Sequence, residues 1–453
     1  MLRGYQEKSS LDVRKELKTN KSVILCLPTG AGKTVVATDF TDRAVNKDIT
    51  TVFLADREEL INQTHSHFLK RNIQCQLVNA KTKQIYKSKV YVCMAETFYR
   101  RLSNGWFDSI NIGLAILDEA HTGLYFKIID LLKEKFPNIF IIGLTATPVS
   151  STKNHPLNKF YNSIVTGPSV PELIKKSFLC QSIDIGHSHV LNLSVKAGEF
   201  TAESQKQQFY FNNLDVKMIE LWKRHAHNRQ TIVYNIDLNH NENILNMFRE
   251  EGVDACSVHS KMDIEERRYN IYKYQEGRYQ VLCNVGVLTK GFNSPQTSCI
   301  IVNKTTSSLS LWYQMIGRGG RIFDGKNNFI TIDMGNNLLY HGSYNDEIDW
   351  ASIFLNDSRD KNFKIKKKPK LCPVCSAFIF NFFLKECPIC LTEIKLNSLV
   401  QLEDMMPDEI KNKKPEDMTL NELHLYGKFK GYKKGWAWFM HMKNINNRIN
   451  RIV

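Results

Sequence analysis

The stretch SVILCLPTGAGKT, Ser22 to Thr34, decides the fold. An apolar run of strand-forming residues enters a turn holding Gly30 and Gly32, and a helix-like segment follows directly. Strand, glycine-containing loop and helix in that order let backbone N–H groups close around phosphate oxygens. Lys33 would reach the β- and γ-phosphates of a nucleotide, and the Thr34 hydroxyl would ligate Mg²⁺. Leu27 stands where the strict motif has its first glycine, but the phosphate cradle from Thr29 through Gly30, Ala31, Gly32 and Lys33 to Thr34 is intact.

Outward from this loop, short apolar runs (SVILCL, TVFLA, KVYVCM, LAILDEA, IFIIGL) alternate with amphipathic stretches up to about residue 175. This is the pattern of a parallel sheet wrapped by helices, whose ligands bind at the loops after the strands. It restarts near residue 230 with QTIVYNI, DACSVHS, YQVLCNV, TSCIIVN and NFITIDM. The chain therefore reads as α/β with two parallel-sheet domains, 1–175 and 176–358. A basic linker (359–370), a four-cysteine module (371–400) and a basic, aromatic tail (401–453) would follow.

In LAILDEAH, Asp118, Glu119 and His121 come directly after an apolar strand, where acidic residues have no packing role. Asp118 suits Mg²⁺, and Glu119 is placed to orient and deprotonate the water that attacks a γ-phosphate.

Composition narrows the partner. Sixty-one Lys and Arg against forty-six Asp and Glu leave a net charge of +15 over 453 residues, which favours a polyanion. Eighteen basic and nine acidic residues fall between Lys361 and Val453, so most of the surplus is C-terminal. The N-terminus MLRGYQEKSS lacks a signal-peptide core, and no run approaches the roughly 18 apolar residues of a membrane span. The reading is cytoplasmic, in the host cytoplasm if the chain is viral, with no membrane partner. Seven of eleven cysteines (Cys26, Cys75, Cys93, Cys180, Cys256, Cys283, Cys299) sit among apolar residues as core positions.

PTGAGKT, DEAH, LTATP (Leu144 to Pro148), NVGVLTKGFNSP (Asn284 to Pro295) and QMIGRGGR (Gln314 to Arg321) occur in the order and spacing of superfamily 2 helicases, which the chain resembles over about 320 residues. The resemblance implies two RecA-like domains closing on ATP and a nucleic-acid-stimulated ATPase. Arg318 and Arg321 become candidates for fingers that stabilise the transferred phosphoryl group, worth about 10³ to 10⁵ in rate, and their spacing would put both on one helical face. The resemblance also implies a catalytic role for Gln314 and an ATP contact at Gly291. LRGYQ resembles the family's Q motif, with Gln6 on adenine and Arg3 assisting. The resemblance further implies nucleic-acid contacts at Arg57 and Thr97 in the first domain and Asn235, His259, Ser260 and Thr289 in the second, with Thr145 and Thr147 relaying the ATP state.

CPVC (Cys372, Cys375) and CPIC (Cys387, Cys390) are separated by eleven residues, the spacing of a compact zinc ribbon. Four thiolates close a tetrahedral site, so the zinc is structural, adding about 10 to 16 kcal/mol of folding energy in small modules. An iron–sulfur cluster is the alternative occupant. In the tail, GKFKGYKKGWAWFMHMK interleaves lysines with aromatics: Lys433 and Trp436 are candidate nucleic-acid contacts, and packing of the aromatics against the zinc module is the competing use.

The overall expectation is an ATP-dependent, monomeric DNA helicase or translocase resembling phage branch-migration helicases. It would act on forked and branched DNA in replication, recombination or repair. An RNA helicase, a double-strand translocase that separates no strands, and a zinc-ribbon module on an inactive scaffold are the alternatives.

Overall fold

The computed structural model describes residues 2–150, 155–186, 191, 193–289 and 291–356. Beyond these it describes 370–372, 374, 378–379, 386–387, 390, 392–393, 413–418, 422–423, 426–427, 430, 432 and 435–449.

The first domain is one parallel sheet of seven strands: β1 (Ser22–Cys26), β2 (Thr50–Ala55), β3 (Gln76–Val78), β4 (Val90–Met94), β5 (Ile112–Asp118), β6 (Phe140–Thr145) and β7 (Ser163–Thr166). Their order is β3-β4-β2-β5-β6-β1-β7. Helices cover both faces, so the inner strands are buried along their length, as Ser22–Cys26 is at every position. Burial on both faces explains the near-continuous Val, Ile and Leu runs in the sequence.

The second domain begins at β8 (Gln181–Gly186) and carries a small antiparallel hairpin, β9 (Val195–Lys196) with β10 (Glu199–Phe200). Its sheet adds β11 (Thr231–Tyr234), β12 (Ala255–His259), β13 (Val281–Val285), β14 (Cys299–Val302) and β15 (Asn328–Asp333), all parallel, in the order β12-β13-β11-β14-β15-β8. The last described helix of this region, Trp350–Asn356, turns back onto the first domain. Phe354 joins that domain's core, and Asn158 Nδ2 donates to the Leu355 carbonyl at 2.9 Å.

Two elements of the cysteine module are described: a hairpin of β16 (Lys370–Leu371) and β17 (Phe378–Ile379), and a bridge between Glu386 and Glu393. In the tail, Met418, Leu423 and Ala437 form a small buried cluster under the helix Trp436–Ile449. No described helix is long and apolar enough to cross a membrane.

Candidate active site and nucleic-acid track

The phosphate loop connects β1 to the helix Lys33–Val45, with Gly30 (φ +87°) and Gly32 (φ +83°) in the left-handed region that favours glycine. Gln6 is buried beneath it. Its Nε2 donates to the Ala31 carbonyl at 3.0 Å, and its Oε1 accepts from the Arg3 N–H at 2.9 Å. Tyr5 Oη donates to the same Ala31 carbonyl at 2.9 Å, so the Q-motif residues brace the phosphate loop. The Arg3 guanidinium lies 4.6 Å over the Phe178 ring, forming a flat wall beside Gln6. Phe178 was not singled out from sequence, because a lone aromatic between two domains carries no motif signal.

At the end of β5, Asp118 is 8% exposed, and its carboxyl is pushed up to about 7. Burial is the main cause, the Glu119 charge adds to it, and Lys33 opposes it. A carboxylate held this way gains from a nearby divalent cation, so the donor set of Asp118 and Thr34 fits Mg²⁺. Glu119 takes a left-handed backbone (φ +49°), unusual for a non-glycine residue and costly by about 1 kcal/mol or more. That turn brings Glu119 Oε1 to 4.0 Å from Lys33 Nζ.

His121 is the centre of a relay. Its Nδ1 lies 3.0 Å from Thr145 Oγ1 and 3.5 Å from Glu119 Oε2. Across the domain cleft, the Gln314 amide donates to His121 Nε2 at 3.2 Å. A ring that accepts at Nε2 carries its proton on Nδ1, facing Thr145. Beside it, Thr147 Oγ1 meets Ser310 Oγ at 2.6 Å, a second cross-cleft bond whose domain 2 member has no motif signature.

Arg318 and Arg321 are both at this cleft, but their placement corrects the expectation of a shared helical face. The helix Leu309–Ile316 stops with Gly317 at its C-cap, and both arginines lie in the turn beyond it. Gly319 and Gly320 cannot carry side chains there: a Cβ would stand 2.2 Å from the Phe329 ring and 2.1 Å from Tyr344 Oη. Arg318 is buried and donates to the carbonyls of Phe292, at 2.6 Å, and Thr289. Arg321 donates to Phe292 O at 3.2 Å and to Asn293 Oδ1. Burial lowers its proton affinity to about 9, with the Arg318 charge second, so it stays a cation near neutral pH. Its Cγ lies 3.3 Å from where a Gly30 Cβ would be, against the phosphate loop. Gly291 faces Leu60 and Glu59 of the first domain.

The track residues fall at the C-terminal ends of neighbouring strands. Arg57 and Thr97 follow β2 and β4, which pair; Asn235, His259 and Ser260 follow β11 and β12, on either side of β13, with Thr289 beyond it. Ser260 is exposed, and Thr97 and His259 are half-buried. Asn235 is only 1% exposed and donates to Asn241 Oδ1 at 2.8 Å, so its side chain shapes the loop from inside. Arg57 donates to the Val287 carbonyl at 2.8 Å, tying the two domains together beside the track.

Cys372, Cys387 and Cys390 place their sulfurs within 4.8 Å of one another, and Cys372 and Cys390 are 3.6 Å apart. Three converging thiols fit a tetrahedral thiolate site. Cys375 and Lys433 lie outside the described residues. Trp436 packs on Tyr432 (centroids 4.5 Å apart) and Tyr426, so it belongs to the tail's own core, whereas Trp438 is 57% exposed.

Comparison with known proteins agrees with this geometry. Residues 1–150 match the family described as "Type III restriction enzyme, res subunit", and residues 213–323 match "Helicase conserved C-terminal domain". A "51.5 kDa protein" of a Lactococcus phage is 26% identical over 80% of this chain and 76% of its own length. "Putative ATP-dependent helicase IRC3" of Saccharomyces cerevisiae is 28% identical over 74% of this chain, and "ATP-dependent DNA helicase Q1" of Mus musculus is 21% identical over 60%. The chain spans about half the length of the yeast relative (51%) and 38% of the mouse relative. Among solved structures, the DNA-bound ATP-dependent Type ISP restriction-modification enzyme LlaBIII superposes with a TM-score of 0.52, at 16% identity, over 80% of this chain and 30% of that one.

Proposed function

Since the chain belongs to helicase superfamily 2 and is an ATP-hydrolysing helicase, we propose that it moves along DNA and opens forked or branched substrates, working as a monomer. The observation that carries the motor reading is the cross-cleft relay from Glu119 through His121 to Gln314, with Arg321 against the phosphate loop. His121, Thr147 and Arg321 each meet the opposite domain across the cleft.

In this reading Lys33 and the N–H groups of Thr29 to Thr34 hold the phosphates, and Gln6 with the Arg3–Phe178 wall holds adenine. Thr34 and Asp118 would hold Mg²⁺, which would supply positive charge to offset that of the triphosphate. Glu119 accepts the proton of the attacking water. Arg318 and Arg321 leave their carbonyl partners on the Thr289–Asn293 loop to reach the developing charge. Because that loop ends the second domain's strand track, hydrolysis moves the track, and His121 reports the same event to Thr145 and Thr147. The four thiolates of Cys372, Cys375, Cys387 and Cys390 hold one structural zinc.

DNA as the substrate is supported by the restriction-enzyme family over residues 1–150, by the name of the mouse relative and by the +15 charge. The test is strand displacement with ATP on a forked DNA duplex, a mobile four-way junction and an RNA duplex of equal length. Displacement of the DNA forks and junctions is expected. Displacement of RNA alone makes the chain an RNA helicase. ATP-driven removal of a bound protein roadblock without displacement makes it a double-strand translocase.

A further inference from the structure

From Leu60 to Ala95 the sequence contains no Asp or Glu but six Lys and Arg, four of them in the loop between β3 and β4: Lys81, Lys83, Lys87 and Lys89. A charge run of this kind is usually a mobile, solvated loop; here the backbone is held in place. Gln76 donates through Nε2 to Gln84 O at 2.8 Å and accepts from the Tyr86 N–H at 3.0 Å. Tyr91 Oη donates to Tyr86 O at 2.8 Å and accepts from the Ser88 N–H at 2.9 Å. Arg101, 8% exposed, donates to Asn79 O at 3.0 Å and to Thr82 O, stacks 4.6 Å over Trp106 and leaves its Nη1 buried without a partner.

The result is a braced loop presenting Tyr86, 62% exposed, among exposed lysines. Asp48 answers Lys89 at 2.6 Å, but among the described residues no ion pair engages Lys81, Lys83 or Lys87. Arg101 belongs to the helix Ala95–Ser103, whose first turn carries the track residue Thr97. The loop therefore leaves the C-terminal end of β3 beside that helix, at Lys81, and runs back past Gln76 to the N-terminal end of the sheet, where Lys89 meets Asp48.

We infer that Lys81, Lys83, Tyr86 and Lys87 form a second, sequence-independent nucleic-acid contact, for single-stranded DNA that leaves the track beside Thr97 and passes down the edge strand β3. Lysines neutralise phosphates, and Tyr86 stacks on a base or sugar. This rests on the DNA reading above. The contact is separate from the ATP site, so it sets affinity and grip length and leaves hydrolysis chemistry alone.

The test is fluorescence anisotropy of a labelled single-stranded DNA 30-mer against salt, with native chain, a Lys81/Lys83/Lys87→Ala triple variant, Tyr86→Ala and Tyr86→Phe. Each single-strand phosphate neutralised contributes about 0.7 to the slope of log affinity on log salt, so the triple variant should lose about 2 from that slope. Tyr86→Ala should bind about tenfold more weakly while Tyr86→Phe keeps native affinity, the range expected for one stacked ring. ATP turnover without DNA should stay native in all three, which also verifies folding. A triple variant with native slope and affinity, while DNA still stimulates the ATPase, overturns the contact and leaves the DNA reading standing. A native chain that binds no DNA overturns both.

Discussion

Gly317→Ala perturbs the domain cleft at the end of the helix Leu309–Ile316. Gly317 has ordinary right-handed angles (φ −61°, ψ −13°), so alanine fits its backbone. The obstacles are Thr29 across the cleft and the Tyr313 carbonyl of its own helix. A Cβ would stand 2.8 Å from Thr29 Cβ and 3.2 Å from Thr29 Cγ2 on the phosphate loop, and 2.7 Å from the Tyr313 carbonyl one turn back. Carbon atoms pack at about 3.5 to 4.0 Å, so the domains must part by roughly 1 Å at the point where Arg321 meets the phosphate loop. Overpacking of this size costs about 1 to 3 kcal/mol, which at about 1.4 kcal/mol per decade predicts a fall in turnover of roughly 5- to 150-fold. Fluorescent ATP-analogue binding should be nearly native, because Lys33 and Gln6 are untouched, and the unfolding transition should not move by more than a few degrees. Native turnover in this variant would mean that the hydrolysing state does not contain the Thr29–Gly317 contact, and the closed-cleft account would fall.

Arg321→Ala should retain ATP binding and lose about 10³ or more in turnover, measured by single-turnover hydrolysis; loss of binding instead would make it a ground-state contact. His121→Ala and Gln314→Ala, singly and together, should show a coupling of about 0.5 to 1.5 kcal/mol in turnover, and strictly additive effects would contradict the relay. Metal analysis of the folded chain should return one zinc. Cys372→Ser should abolish it without changing ATP turnover in the absence of DNA, and an iron content in place of zinc would move the site to a cluster.

The groups assigned to the candidate ATP site were legible because their chemistry conflicts with their surroundings. Asp118 and Glu119 close an apolar strand, and Lys33 follows a glycine turn; neither arrangement has a packing reason. What sequence could not reveal depends on contacts made at long range. The phosphate loop meets Leu179 and Gly317 only after two sheets have formed, and Ser310 is an ordinary serine until the cleft brings Thr147 to it. The helix-face expectation for Arg318 and Arg321 failed because spacing alone cannot mark a helix end, although the run Gly317, Gly319, Gly320 was a usable stop signal. Asn235 looked like a strand-end contact, yet Asn241 on the following helix draws its amide inward. Phe354 follows the second domain in sequence but packs into the first, a crossing that no local pattern announces. In the tail, Trp436 and Trp438 are equivalent by composition, and packing with Tyr426 and Tyr432 separates them.

Steady-state ATP hydrolysis tests the central claim most directly, comparing the native chain with Glu119→Gln alone and with single-stranded DNA, duplex DNA, a four-way junction and structured RNA. The account predicts strongest stimulation by forked or junction DNA in the native chain and loss of turnover under every condition in the variant. Turnover by Glu119→Gln at the native rate, or stimulation by RNA and by no DNA, would contradict it.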